Sequence, residues 1–246
     1  MTALAIALTI SASLVATAPA LAAVKTVVLV HGAFADGSGW QAVMGILQKD
    51  GYTVRVVQPP ETALADDVAA TRRILDQAGP CVLVGHSYGG TIITEAGTHP
   101  NVKSLVYVAA FEPDVGESTG ALNAKTPAAA ASIGPAGGNF LQVDPAKFAA
   151  DFAADLPSAT AAFMAISQVP ISADALGSPV TAAAWKNKPS FAIVAKDDRM
   201  INPDLERFMT ARANSQTIEL PGSHAVYISH APEVAALIEK AAQAAD

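Results

Sequence analysis

Cysteine is all but missing: Cys81 is the one thiol in 246 residues, so an internal disulfide framework and a cysteine-based zinc site are both excluded. Charge is sparse and lopsided. Only 15% of residues are charged, and 15 Lys and Arg against 22 Asp and Glu leave a net charge of −7. Without a basic stripe to neutralise phosphates, nucleic acid is not an expected partner, and anionic membrane surfaces are disfavoured. No HExxH pair and no phosphate loop of the P-loop type occurs. Neither metal nor cofactor is therefore expected, and chemistry must come from side chains. What abounds is apolar: 51% of the chain, enough at this length for one large core in a single α/β domain.

Residues 1–22 lack charged side chains altogether and are mostly Ala, Leu, Ile and Val. Such a run predicts a signal peptide, with Pro19 ending its helix and Ala20-Leu21-Ala22 offering small residues for cleavage after Ala22 or Ala20. The mature domain would then be 23–246, periplasmic or secreted, with no stable membrane association after processing. A basic n-region is missing, so a cytoplasmic protein is the fallback.

From Lys25 onward short β-branched runs alternate with amphipathic stretches, the pattern of a parallel sheet covered by helices. Strands are predicted at 26–30, 53–57, 81–84, 104–108, 191–195 and 217–220, mostly apolar as if buried on both faces. Helical spacing joins Leu64, Val68, Thr71 and Leu75, then Leu205, Phe208 and Met209, then Val234, Leu237 and Ile238. Pro203 and Pro232 suit first helical turns. The interval 111–189 is far longer than a crossover needs and reads as a lid inserted at about 112–188, before the late strand. Within it, Asp144-Pro145 predicts a capped helix carrying Phe148 and Phe152, and a second helix could hold Phe163 and Met164.

The predicted strand at 81–84 runs into Gly85-His86-Ser87-Tyr88-Gly89-Gly90 and then into a helix-compatible stretch. A G-x-S-x-G between strand and helix is the context in which Ser87 would stand exposed on a sharp turn as a nucleophile. With Val27-Val28-Leu29-Val30-His31-Gly32-Ala33, Gly39-Trp40 and a late Asp and His, the chain resembles the α/β-hydrolase superfamily over residues 25–246. Within it, the lack of an N-terminal hairpin and the spacing of the late motifs are similar to the branch holding plant methylesterases, serine hydroxynitrile lyases and many small bacterial esterases. The resemblance implies an oxyanion hole made by the backbone N–H groups of Ala33 and Tyr88.

A serine hydroxyl needs a base, and the order Ser, acid, His is expected. His224 is the preferred base because Gly222-Ser223-His224-Ala225 follows the last strand. His230 is the alternative, and His31, His86 and His99 read as structural. For the acid, Asp198 follows the predicted strand 191–195 and stands five residues before Pro203, as in similar relatives. Asp197 is expected to face solvent or pair with Lys196 or Arg199, and Glu112 and Asp114 remain further alternatives. The expectation is a serine hydrolase for a small, largely apolar carboxylic ester, acting through an acyl-enzyme. Hydroxynitrile lyases of the branch carry Lys after the His and Thr in the first-strand loop, where this chain has Ala225 and Gly32, so cyanohydrin cleavage is disfavoured. Lactone, thioester or amide cleavage by the same triad, or a slow-turnover ligand receptor, remain alternatives.

Overall fold

Side chains alternate across a strand, so a run apolar at every position buries both faces only if helices cover both sides of the sheet. The computed structural model, which describes residues 24–244, has that arrangement. The expected leader at 1–22 lies outside the described residues. The chain runs β1 (Thr26–Val30), α1 (Gln41–Lys49), β2 (Thr53–Val57), α2 (Leu64–Ala78), β3 (Cys81–Ser87), α3 (Tyr88–Ala96) and β4 (Val102–Ala110). The lid interval follows with α4 (Thr119–Lys125), β5 (Ile133–Gly137), β6 (Phe140–Val143), α5 (Pro145–Asp151), α6 (Ser158–Ser167), β7 (Ile171–Ser172) and α7 (Ala173–Gly177). The main fold resumes with β8 (Ser190–Ala195), α8 (Pro203–Arg212), β9 (Gln216–Leu220), α9 (Val226–Ser229) and α10 (Ala231–Gln243).

Six strands form one sheet in the order β2-β1-β3-β4-β8-β9, every neighbouring pair parallel. Val27 and Leu29 of β1 pack with Val43 and Leu47 of α1 and Val234 and Ile238 of α10 on one face. Val28 and Val30 pack with Val68 and Leu75 of α2 and Ile92 of α3 on the other. From β1 the chain crosses to β2 on one side, and from β3 to β4 on the other. The carboxyl ends of β1 and β3 therefore border a topological switch point, the crevice where open α/β sheets place their ligands.

Three expectations need correction. Burial on both faces fails at the edges: β9 is largely exposed, with Ile218 36% accessible, because one side of an edge strand has no neighbour to carry a covering helix. Phe208 does not join Leu205 and Met209 in the core; it is 56% exposed and lies under the Arg212 guanidinium, 5.3 Å from its ring centroid. Leu205 and Met209, one turn apart, own the inward stripe, and Phe208 falls at its rim. The lid is not helices alone, since β5, β6 and β7 form a three-stranded antiparallel sheet. Asp144 does cap α5, its carboxylate accepting the Ala146 N–H at 3.0 Å. Among the described residues no helix is long and apolar enough to cross a membrane.

Candidate active site

Parallel strands end on the same side of a sheet, so residues just past their carboxyl ends meet although far apart in sequence. Ser87 closes β3, Asp198 follows β8 and His224 follows β9. His224 Nε2 lies 2.8 Å from Ser87 Oγ, and its Nδ1 lies 2.6 Å from Asp198 Oδ2. The other Asp198 oxygen accepts the Met200 and Ile201 N–H groups at 2.7 and 2.9 Å. A carboxylate only accepts, so Nδ1 carries the proton and donates it to Oδ2 as a hydrogen bond, leaving Nε2 free to accept from the Ser87 hydroxyl. All three side chains are buried.

The turn that presents Ser87 is tight. Ser87 itself has φ 54° and ψ −125°, a conformation that non-glycine residues hold only under restraint. A Cβ at Gly85 would stand 2.5 Å from the Gly89 carbonyl oxygen, and one at Gly32 would stand 2.5 Å from the Ser87 Cβ, so both positions must be glycine. Gly32 thereby lets the loop after β1 close on the elbow. Ala33 and Tyr88 line one cavity of about 80 Å³ together with Ser87, His224, Phe34 and Leu176. Among the described residues, neither the Ala33 nor the Tyr88 amide is engaged in a loop or turn hydrogen bond.

This strand order, elbow and hydrogen-bonded row coincide with a match to a family model described as the alpha/beta hydrolase family, over residues 27–237. The chain belongs to the alpha/beta hydrolase family. Within it, the chain is 26% identical over 241 residues to an alpha/beta hydrolase of Aspergillus novofumigatus, covering 88% of this chain and 96% of that one. It is 29% identical over 254 residues to a pyrethroid hydrolase of Sphingobium wenxiniae, covering 90% and 89%. A solved pyrethroid hydrolase superposes with a TM-score of 0.77 at 25% identity, over 90% of this chain and 98% of that one. Polyneuridine aldehyde esterase shares the fold, with a TM-score of 0.77 at 17% identity over 88% and 98%. Membership and these relatives mark this hydrolase-family chain as a hydrolytic enzyme.

In this alpha/beta hydrolase the other candidates have different partners. His86 is fully buried and donates from Nε2 to the His224 carbonyl at 2.9 Å; burial holds it neutral, with a pKa well below the ordinary imidazole value. His99 pairs with Asp76, and His230 lies 3.5 Å from Glu233. Asp197 is exposed, as expected, and pairs with neither Lys196 nor Arg199: its Oδ2 accepts the Gly222 N–H at 3.0 Å and so holds the loop that carries His224, while Arg199 bonds Asp151. Asp114 pairs with Lys186.

Glu112 is fully buried and accepts from the Ser215 hydroxyl at 2.9 Å. Burial, only partly offset by Ser215 and Arg212, pushes its carboxyl up to about 8. A carboxyl whose pKa is raised on folding stabilises fully below its unfolded pKa and loses that contribution as pH climbs through the raised value, here from about 4.5 to about 8. The melting temperature should therefore fall between pH 5 and pH 8. Glu112→Gln should flatten that fall, removing up to about 1.4 kcal/mol per pH unit. Parallel slopes for wild type and variant in thermal melts would count against a neutral Glu112.

Contacts with no sequence signal complete the site. Phe152, at the end of α5, stands edge-on to the His224 ring with centroids 4.7 Å apart and stacks on Phe148. Asp155 accepts from the Ser223 N–H at 3.1 Å, from the Ser223 hydroxyl and from the Ser229 hydroxyl at 2.7 Å, so the lid clamps the His224 loop. Burial and the nearby Asp198 raise the Glu206 carboxyl well above the ordinary carboxyl range, and its Oε2 accepts the Ala195 N–H at 3.3 Å. Trp40, of the Gly39-Trp40 pair, is fully buried against Tyr227, their ring centroids 4.8 Å apart.

Proposed function

We propose that Ser87, His224 and Asp198 act as a catalytic triad that hydrolyses small, largely apolar carboxylic esters. Ser87 Oγ attacks the ester carbonyl carbon while His224 Nε2 takes the hydroxyl proton, and Asp198 holds the imidazole in the tautomer that can accept it. The Ala33 and Tyr88 N–H groups donate to the oxyanion that forms, each worth about 3 to 4 kcal/mol of transition-state stabilisation. His224 returns the proton to the leaving alcohol. Water, deprotonated by His224, then attacks the acyl-enzyme, and the acid leaves as Ser87 recovers its proton. The observation that carries this reading is the continuous Ser87–His224–Asp198 row, at 2.8 and 2.6 Å, opening into an apolar cavity.

The cavity's size supports a short acyl group. At about 80 Å³ it is smaller than the roughly 150 Å³ that holds a benzene ring, which suits acyl chains of about two to four carbons. A groove of about 280 Å³, lined by Phe163, Met164, Tyr227 and Ile228 and sharing Phe34 with the cavity, leaves room for a larger apolar alcohol. With p-nitrophenyl esters, kcat/KM should peak from acetate to butyrate and fall by about 10-fold or more at octanoate. Leu176→Ala, which enlarges the cavity, should move the optimum to longer chains. A wild type that prefers octanoate would rule out the short-acyl assignment. One that is labelled at Ser87 by a fluorophosphonate but cycles no ester would point to the receptor alternative.

A further inference from the structure

Behind the two amides lies a buried carboxylate that the triad does not use. Asp67 of α2 is fully buried; its Oδ2 accepts the Tyr88 phenol O–H at 2.7 Å, and its Oδ1 accepts the Glu61 N–H at 2.7 Å. Glu61 has φ 58°, a left-handed state that a glutamate keeps only when its surroundings demand it. Its carboxylate lies 3.5 Å from His31 Nδ1, which donates to the Gly32 carbonyl at 3.0 Å, and Ala33 comes next in the chain. Asp67 thus bonds Tyr88 directly and lies near the loop of Ala33 through Glu61, whose carboxylate makes only the 3.5 Å contact with His31 and no hydrogen bond; Ala33 and Tyr88 are the two residues proposed for the oxyanion hole. The same stretch reaches the lid, because the Glu61 carbonyl accepts the Ser172 N–H of β7 at 2.8 Å.

Stability alone does not call for such a cluster, since apolar side chains of similar shape would pack there at no desolvation cost. Nor would backbone amides by themselves need a particular side chain at position 88. Burial raises the Asp67 carboxyl to about 6 and holds the Tyr88 phenol well above its ordinary range, so near neutral pH the phenol keeps its proton and donates a hydrogen bond to the carboxylate. We propose that Asp67 and the Tyr88 phenol are positioning residues that hold the two oxyanion-hole amides in register with Ser87. The inference rests on the esterase reading above.

The test compares Tyr88→Phe, Asp67→Asn and the double variant with Tyr107→Phe. The last deletes another buried phenol hydrogen bond, 3.0 Å from Thr94 Oγ1, away from the loop after β1. Either single substitution at 88 or 67 should lower kcat roughly 10- to 100-fold with KM within about threefold, and the double should be no worse than the poorer single. Affinity for a trifluoromethyl ketone, whose adduct carries the oxyanion, should fall in parallel. Tyr107→Phe should keep kcat within about twofold. Full kcat in both singles, losses that multiply in the double, or a rise in KM alone would each overturn the proposal. If Asp67→Asn does not fold, Tyr88→Phe, which deletes one oxygen, decides the matter. A wild type that labels with a fluorophosphonate but turns over no ester defeats the esterase reading alone. The positioning claim is then read from the labelling rates of the same variants, because labelling builds charge in the same hole. A wild type that neither labels nor cycles overturns both.

Discussion

Ser87→Ala should abolish turnover, lowering kcat by about 10⁴-fold or more, while the protein stays folded. Among the described residues the hydroxyl is the one group hydrogen-bonded to His224 Nε2, and nothing else in the hydrogen-bonded row can take its place. The expected retention of fold follows from the same geometry. Ser87 stands at φ 54°, so its backbone stores strain of about 1 to 3 kcal/mol. Ser87→Gly, equally inactive, should release that strain at an entropic cost of about 0.5 to 1 kcal/mol, for a melting temperature some 2 to 4 °C above wild type. Inactivity joined to added stability is the signature of a residue kept for chemistry. An alanine variant with more than about one-hundredth of wild-type kcat would remove Ser87 from the mechanism. A glycine variant that melts below wild type would remove the strain argument and leave the mechanism standing.

Asp198→Asn should cost about 10³- to 10⁴-fold in kcat, and Asp197→Asn about 10-fold or less. An amide at position 198 can keep the Met200 and Ile201 N–H groups on its oxygen, but it then turns an NH₂ toward His224 Nδ1. The imidazole must answer by moving its proton to Nε2, the nitrogen that has to accept from Ser87. Phe152 and His86 hold the ring in place meanwhile, so the loss reflects the tautomer rather than a displaced histidine. Asp197 instead anchors Gly222, and an asparagine oxygen can still accept that N–H. Measured kcat/KM for the two variants separates these neighbours, and a larger loss at 197 would reverse the assignment.

Much of the frame was legible because each strand of the main sheet carries its own evidence. The runs at 26–30 and 53–57 match β1 and β2 residue for residue, while β3 and β4 extend two or more residues past the expected ends. Those extensions consist of Gly85 to Ser87 and of Ala109 and Ala110, which have little strand propensity; pairing of His86 with Val108 and of Ser87 with Ala110 carries the ladder on through a bulge, with Ser87 and Ala109 at positive φ. The small lid sheet escaped for the same reason. Residues 133–137 read Ile-Gly-Pro-Ala-Gly, a turn-like composition, and only the facing Phe140–Val143 makes them a strand.

Local pattern by itself determined the parallel α/β frame, the elbow at Ser87 and the strand ends at which an acid and a histidine follow, because periodicity, β-branching and glycine punctuation act over a few residues. Only the tertiary structure decided which side chains touch. Ser87 and His224 are 137 residues apart, Ser223 and Asp155 are 68 apart, and Asp67 reaches Tyr88 across 21. Composition records no such distances. An aspartate that caps a loop, clamps a lid or accepts from a buried phenol looks the same in sequence as one that faces water, and the difference arises when burial removes the water and leaves each carboxylate the donors that the fold supplies.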